Sequence, residues 1–143
     1  KEQGYGAGKG NLAEPDRVGT VYWNRGLGAA VTYIEALRVA QEMHDKVGQA
    51  VTGAEFRAGY ENLVMDDARL EELGIKGMIA PFAMSCAENA GAGKFAMMQW
   101  DGDKFVQVTD WEAPLDPGYI RGLVEASAAK FASENGITPR ECS

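Results

Sequence analysis

The chain has 143 residues, with 14 basic and 21 acidic side chains and a formal net charge of −7 at pH 7. Its apolar fraction of 45% and charged fraction of 24% are those of a globular domain and exclude intrinsic disorder. The negative net charge, without a local basic patch, argues against nucleic acid or an anionic lipid surface as a partner. No apolar run is long enough to predict a transmembrane helix, so no direct membrane insertion is expected.

The first residues are predicted to form no core element. Residues 1–11 hold four glycines and only two apolar side chains, Tyr5 and Ala7, and we interpret them as a flexible lead-in. The chain starts at Lys1 without methionine or a signal peptide, from which we expect a processed or truncated sequence. The next segment, Val18–Trp23, is β-branched and aromatic, which predicts a strand or the end of one.

Three helices are predicted to follow. Apolar residues recur at helical spacing between Ala30 and Ala40, which predicts a helix over about 27–46. The sequence from Thr52 to Glu55 is a capping-box pattern and begins a second helix. Its predicted core face consists of Phe56, Tyr60, Leu63 and Val64. A shorter helix is predicted over Asp67–Leu73.

The pattern then changes to the alternation typical of strands. Met78–Met84 and Lys94–Trp100 are predicted as strands, separated by the glycine-rich loop Cys86–Gly93. Asp101 and Gly102 lie between two alternating runs and predict a hairpin that joins Phe95–Trp100 to Lys104–Trp111. A last helix over about 117–135 would place six residues on one face: Ile120, Leu123, Val124, Ser127, Ala128 and Phe131. This order indicates an α/β or α+β fold with too few strands for a complete doubly wound domain.

No arrangement of residues predicts catalysis, a metal site or a bound cofactor. The single histidine, His44, falls near the end of the first predicted helix, where a solvent-exposed imidazole is favoured. No base is found beside a nucleophile, and two cysteines 56 positions apart offer no close pair of zinc ligands. The glycine-rich segments lack the spacing of dinucleotide or phosphate loops. The sequence therefore predicts a protein that is not an enzyme and carries no cofactor.

Two features of the sequence, residues 22–25 and the pair of cysteines, each allow two interpretations. The four residues Tyr22, Trp23, Asn24 and Arg25 combine rings that can cover an apolar ligand with a guanidinium that can bind a carboxylate. Alternatively, Trp23 packs in the core and Arg25 pairs with a surface acid. Cys86 and Cys142 either form a disulfide that closes a loop of about 57 residues or remain as two buried thiols.

Several motifs in order resemble a known family. These are residues 18–26 (VGTVYWNRG), 34–41 (IEALRVAQ), 51–63 (VTGAEFRAGYENL), 99–102 (QWDG) and 136–142 (GITPREC). Together they resemble the C-terminal part of the ABC-transporter substrate-binding proteins of the branched-chain amino-acid (Leu/Ile/Val-binding) family. The resemblance covers nearly everything from about residue 17 onward. The chain departs from the family pattern at residues 87–89, where a histidine is common, and at Trp23, where tyrosine is commoner.

The resemblance implies a particular fold and domain organisation. The expected fold is α/β of the type I periplasmic-binding-protein kind, incomplete, with helices packed on a sheet, a β-hairpin and a terminal helix. Residues 1–16 would then lead in from an upstream lobe, and residues 17–143 would be the C-terminal part of a two-lobed ligand-binding domain. Residues 17–25 would form a hinge region, 26–113 would complete the N-terminal lobe, and 114–143 would return to the C-terminal lobe.

The resemblance also implies a function. The chain would belong to the extracytoplasmic solute-binding component of an ABC importer, with Tyr22 to Arg25 near a ligand such as an amino acid, amide or aromatic carboxylate. The alternatives are a sensory ligand-binding domain of the same fold and an amide-metabolising enzyme. Expected partners are the solute and a membrane permease, and the fragment is expected to self-associate or to form a domain-swapped dimer. A disulfide between Cys86 and Cys142 would suit the periplasm.

Overall fold

A computed structural model of the chain describes residues 18–91 and 93–142. In chain order, the elements of these residues are α1 (Val21–Met43), α2 (Gly53–Glu61), β1 (Val64–Met65), α3 (Asp67–Glu72), β2 (Phe82–Ala83), β3 (Met98–Trp100), β4 (Phe105–Gln107) and α4 (Pro117–Glu134). They divide into two units, the first ending at Ser85 and the second starting at Cys86. The predicted lead-in, residues 1–16, lies outside the described residues.

The predicted fold class, α/β of the type I periplasmic-binding-protein kind, is wrong. The described residues are mostly helical, and their strands form two separate two-stranded antiparallel sheets. In the first sheet Val64 of β1 lies opposite Ala83 of β2, and in the second Trp100 of β3 lies opposite Phe105 of β4. Neither sheet is large enough to form the layer on which helices were expected to pack.

The predicted strands are shorter in the structure, or absent, for local reasons. Within Met78–Met84 only Phe82 and Ala83 pair as a strand, because Pro81 has no N–H to donate and Met78 donates its N–H to Ile75 O in a turn. Val18–Trp23 is no strand, because Thr20 acts as an N-cap and its hydroxyl accepts a hydrogen bond from the Trp23 N–H at 3.4 Å. The first helix therefore begins six residues before its predicted start.

The first unit is built on a close crossing of α1 and α2. Gly59 of α2 lies against Ala36 and Ala40 of α1, and all three residues are buried. A Cβ atom on Gly59 would meet the Ala40 Cβ at 2.6 Å and would also clash with the Ala36 carbonyl oxygen. Small side chains at this point let the two backbones approach, and both helices contribute to one core. Its buried members are Ala36, Leu63, Met65, Leu70, Ile75 and Met84.

The capping box predicted for α2 is confirmed. The Glu55 N–H donates to the Thr52 hydroxyl, and the Thr52 N–H donates to the Glu55 carboxylate at 2.7 Å. Lys46, in the loop after α1, donates to the same carboxylate at 2.7 Å. The hydrogen bond from Lys46 has the largest effect on the pKa of Glu55. Together with the hydrogen bonds from Thr52 it lowers this pKa to about 2. Of the predicted core face of α2, Leu63 is buried, Phe56 and Tyr60 are half-buried, and Val64 is exposed.

A buried ion pair connects α1 to α3. The Glu35 side chain is 4% exposed, and both of its oxygens accept hydrogen bonds at 2.7 Å from Nε and Nη2 of Arg69. Arg38 donates a third bond to Glu35 at 3.0 Å. The bonds from Arg69, then those from Arg38, outweigh the effect of burial and lower the pKa of Glu35. The carboxylate is therefore held ionised between two guanidinium groups.

The second unit contains the hairpin and the terminal helix. At the β3–β4 turn, an oxygen of Asp101 accepts hydrogen bonds from the backbone N–H groups of Asp103 and Lys104, both at 2.9 Å. The hairpin predicted around Asp101 and Gly102 is confirmed. The last helix is also confirmed, since α4 ends at Glu134, within one residue of its predicted end, and Asp116 caps its start. None of the described helices is long and apolar enough to span a membrane.

Substitution of Gly59 by alanine tests the helix crossing. Gly59→Ala is expected to lower the free energy of unfolding by about 2 kcal/mol, since the added methyl group would overpack against rigid backbone. Gly26→Ala in α1 is the matched control, because a Cβ there meets no atom within 4 Å. There alanine should raise stability by about 0.5–1 kcal/mol through helix propensity. Urea unfolding measures both, and a stabilising Gly59→Ala would contradict the close crossing.

Substitution of Glu35 tests the buried ion pair. Glu35→Gln is expected to cost roughly 3 kcal/mol of unfolding free energy, because it leaves Arg69 without its buried counter-charge. Glu42→Gln is the control: Glu42 also binds Arg38, at 2.8 Å, but its side chain is 54% exposed, so its loss should cost below about 1 kcal/mol. Because the pKa of Glu35 is lowered on folding, its stabilisation is complete above the ordinary pKa of glutamate. That stabilisation is lost as the pH falls through the lowered pKa. Equal losses of unfolding free energy in Glu35→Gln and Glu42→Gln would contradict a stabilising role of the buried ion pair.

Candidate functional site

The four predicted ligand-binding residues lie in the first turns of α1. They do not form one cluster: Asn24 and Arg25 border a surface groove, whereas Tyr22 and Trp23 are not among the residues that line it. Tyr22 is 83% exposed and Trp23 is half-buried. The Asn24 side chain donates a hydrogen bond to the Gly19 carbonyl at 3.4 Å, which ties it to the start of the helix.

The groove beside Asn24 and Arg25 has an apolar floor and a volume of about 470 Å³. Its apolar lining comes from α1, from the segment that leads into β2 and from the first residue of β2: Val21, Ala29, Met78, Ile79 and Phe82. Gly28 is buried under the groove, and a Cβ there would meet the Ile79 side chain at 3.3 Å. The absence of a side chain at Gly28 therefore lets Ile79 lie close against α1. Sequence reasoning missed the wall formed by Met78, Ile79 and Phe82, because these residues were interpreted only as a strand.

Three polar side chains line the groove: Asn24, Arg25 and Thr32. The Thr32 hydroxyl donates to the Gly28 carbonyl at 2.9 Å and keeps lone pairs with which to accept. The exposed Arg25 guanidinium has no hydrogen-bond or ion-pair partner among the residues that the structure describes. A group with an apolar body and a negative charge would match this surface chemically. Binding by Tyr22, Trp23, Asn24 and Arg25 stays a prediction.

The remaining candidates from the sequence have structural positions. His44 is exposed at the C-cap of α1, and its backbone N–H donates to the Ala40 carbonyl. Across residues 18–91 and 93–142, no group of three or more potential metal ligands is found together. Neither observation builds a catalytic or metal-binding centre in this part of the chain.

The two cysteines are joined in the second unit. Cys86 and Cys142 form a disulfide with their Cα atoms 5.5 Å apart. Nearby, Arg121 of α4 forms an ion pair with Glu88 at 2.5 Å and donates to the Ala87 carbonyl at 3.3 Å. The loop after Cys86 is thus attached to α4, and the chain end after α4 is attached to Cys86.

The apolar face predicted on α4 lies on the surface. The four large apolar residues among its six predicted members, Ile120, Leu123, Val124 and Phe131, are each more than half exposed. We call these six residues the α4 stripe. They border a shallow depression of about 500 Å³. The sequence pattern correctly placed these residues on one face but gave no indication that the face would be uncovered.

Comparison with known proteins gives one informative similarity. No protein-family model and no curated protein matches the chain. A solved structure described as an ABC transporter permease from the Pseudomonas fluorescens group is similar to it, with 37% sequence identity and a TM-score of 0.82. The similarity covers 95% of this chain but 32% of that one, so the chain spans about a third of the length of its structural relative.

This similarity corrects the predicted function. The relative is described as a permease of an ABC transporter and not as a solute-binding protein or a periplasmic binding protein. The predicted role as the extracytoplasmic solute-binding component of an ABC importer is therefore wrong, as is the predicted periplasmic-binding-protein fold. The transport context agrees with the prediction, and the relative is described as a transporter component and not as an enzyme.

Proposed function

We propose that this chain forms part of an ABC transporter protein and serves there as a non-catalytic contact module. The observation that carries the proposal is the similarity of 95% of the chain, at a TM-score of 0.82, to a structure described as an ABC transporter permease. At 37% identity the similarity concerns sequence as well as shape.

The surface of the chain supports a role in contacts. The groove along α1 in the first unit and the α4 stripe in the second unit are both apolar and open to the surface. Large exposed apolar patches are typical of surfaces that bind other polypeptides or ligands. The partners that we propose are other parts of the same transporter, including its membrane component.

The resemblance of the sequence to the Leu/Ile/Val-binding family stays a proposal about the origin of this segment. It rests on the ordered motifs between residues 18 and 142. No solute-binding role is proposed with it.

Co-purification from membranes tests the proposed function. The protein would be immunoprecipitated from detergent-solubilised membranes of its native cells, with cells lacking the gene as the control. We expect an ATP-binding-cassette subunit in the precipitate, identified by mass spectrometry, together with ATP hydrolysis. A precipitate with neither the subunit nor the hydrolysis would contradict the proposal.

An extracytoplasmic location is a second part of the proposal. It is supported by the Cys86–Cys142 disulfide, because such bonds persist in oxidising compartments and are rare in the cytosol.

Alkylation of living cells before lysis tests this location. We expect the peptides that contain Cys86 and Cys142 to be recovered as a disulfide-linked pair, and to take up the reagent only after reduction. Cells treated with a permeant reductant before alkylation provide the control. Two alkylated thiols in untreated cells would contradict an oxidising location.

A further inference from the structure

The α4 stripe lacks the cover that an apolar helix face ordinarily has. A helix with apolar residues at this spacing normally buries them against another element. Here no residue of α4 whose side chain is described is buried, whereas α1 buries Ala36 and Ala40 against α2. The stripe is therefore a helix-packing surface whose counterpart is not found among the described residues of the second unit.

The shape of the stripe suits a second element of secondary structure. Ile120, Leu123 and Val124 lie at one end and Phe131 lies at the other, with the small residues Ser127 and Ala128 between them. This leaves the depression of about 500 Å³ in the middle. An element that crosses α4 at its centre would contact large apolar side chains on both sides of the small residues Ser127 and Ala128.

The charged groups on α4 do not specify an ionic partner. Arg121 pairs with Glu125 at 3.0 Å and with Glu88 at 2.5 Å, and Lys130 pairs with Glu134 at 3.8 Å. Both cations of α4 therefore have carboxylate partners within the second unit, and the six side chains of the stripe itself carry no charge. Its occupant must itself be apolar.

We propose that the α4 stripe packs against polypeptide that corresponds to the two thirds of the related permease structure that this chain does not span. The inference rests on the proposed function and names the partner of this surface. The chain matches 32% of its structural relative, so most of that protein's polypeptide lies outside the match. A second copy is disfavoured, because each copy carries a net charge of −7 and two such copies repel one another.

The disulfide restrains the helix that carries the stripe. It joins Cys142, which follows α4, to Cys86 at the start of the unit, while the Arg121–Glu88 pair holds the helix to the same loop. The helix is thus held at both its first half and its far end without any cover over its apolar side chains. A partner element would meet a preorganised surface and would lose little by ordering it.

Matched substitutions in two contexts test the inference. Leu123→Glu lies in the stripe, and Ala129→Glu adds the same charge on the exposed opposite side of α4. In the 143-residue chain both should shift the melting temperature by about 2 °C or less, because both positions face water. The second context is the longer transporter protein of which we propose that this chain forms part. There Leu123→Glu should lower the melting temperature by at least about 5 °C, because it would bury a charge. The melting temperature of the Ala129→Glu variant should stay near that of the wild type.

Hydroxyl-radical footprinting of the wild-type protein tests the same contact without a substitution. It therefore gives a result even if the Leu123→Glu variant of the longer protein does not fold. Oxidation of Phe131 and Leu123 should be at least about fivefold slower in the larger protein than in the 143-residue chain. Equal oxidation in the two contexts would overturn the inference. A 143-residue dimer that Leu123→Glu converts to a monomer would also overturn it, in favour of self-association. Protection of α4 without a co-purifying ATPase subunit would uphold the contact and refute only the proposed function.

Discussion

The ion pair between Glu35 and Arg69 is the constraint on which the first unit depends. Glu35 is the buried charged residue among the described residues, and removing Arg69 would leave its carboxylate paired with Arg38 alone, at a cost of about 3 kcal/mol. Both guanidinium contacts are satisfied only when α1 and α3 keep their observed positions. The same arrangement sets Ala36 and Leu70, the residues that follow Glu35 and Arg69, into the hydrophobic core. Charge pairing and apolar packing therefore specify one geometry together.

The second unit has no comparable interior. No described residue from Cys86 onward is buried to the extent of the core residues of the first unit. A disulfide, the Arg121 ion pairs and the hairpin hydrogen bonds hold this part of the chain, and its apolar side chains remain on the surface. A small segment with little core ordinarily gains stability from a covalent link or from a partner. This is the physical reason to regard the α4 stripe as a contact surface.

Local patterns predicted the helices and turns well, and long-range organisation poorly. The Thr52–Glu55 capping box and the Asp101–Gly102 turn depend on neighbours within three residues, so the sequence shows them directly. Thr20 was overlooked as a cap because the β-branched and aromatic residues around it favour a strand. The pairing of Glu35 with Arg69 spans 34 positions and leaves no periodic pattern. The groove wall was missed for the same reason, since residues of separate elements form it.

A double-mutant cycle on Glu35 and Arg69 tests the central claim most directly. Unfolding free energies would be measured for Glu35→Gln, Arg69→Met and the double variant. If the pair organises the first unit, the double variant should lose less stability than the sum of the single variants, with a coupling energy of about 2 kcal/mol. Additive losses, within about 0.5 kcal/mol, would show that the two residues act independently and would contradict the account.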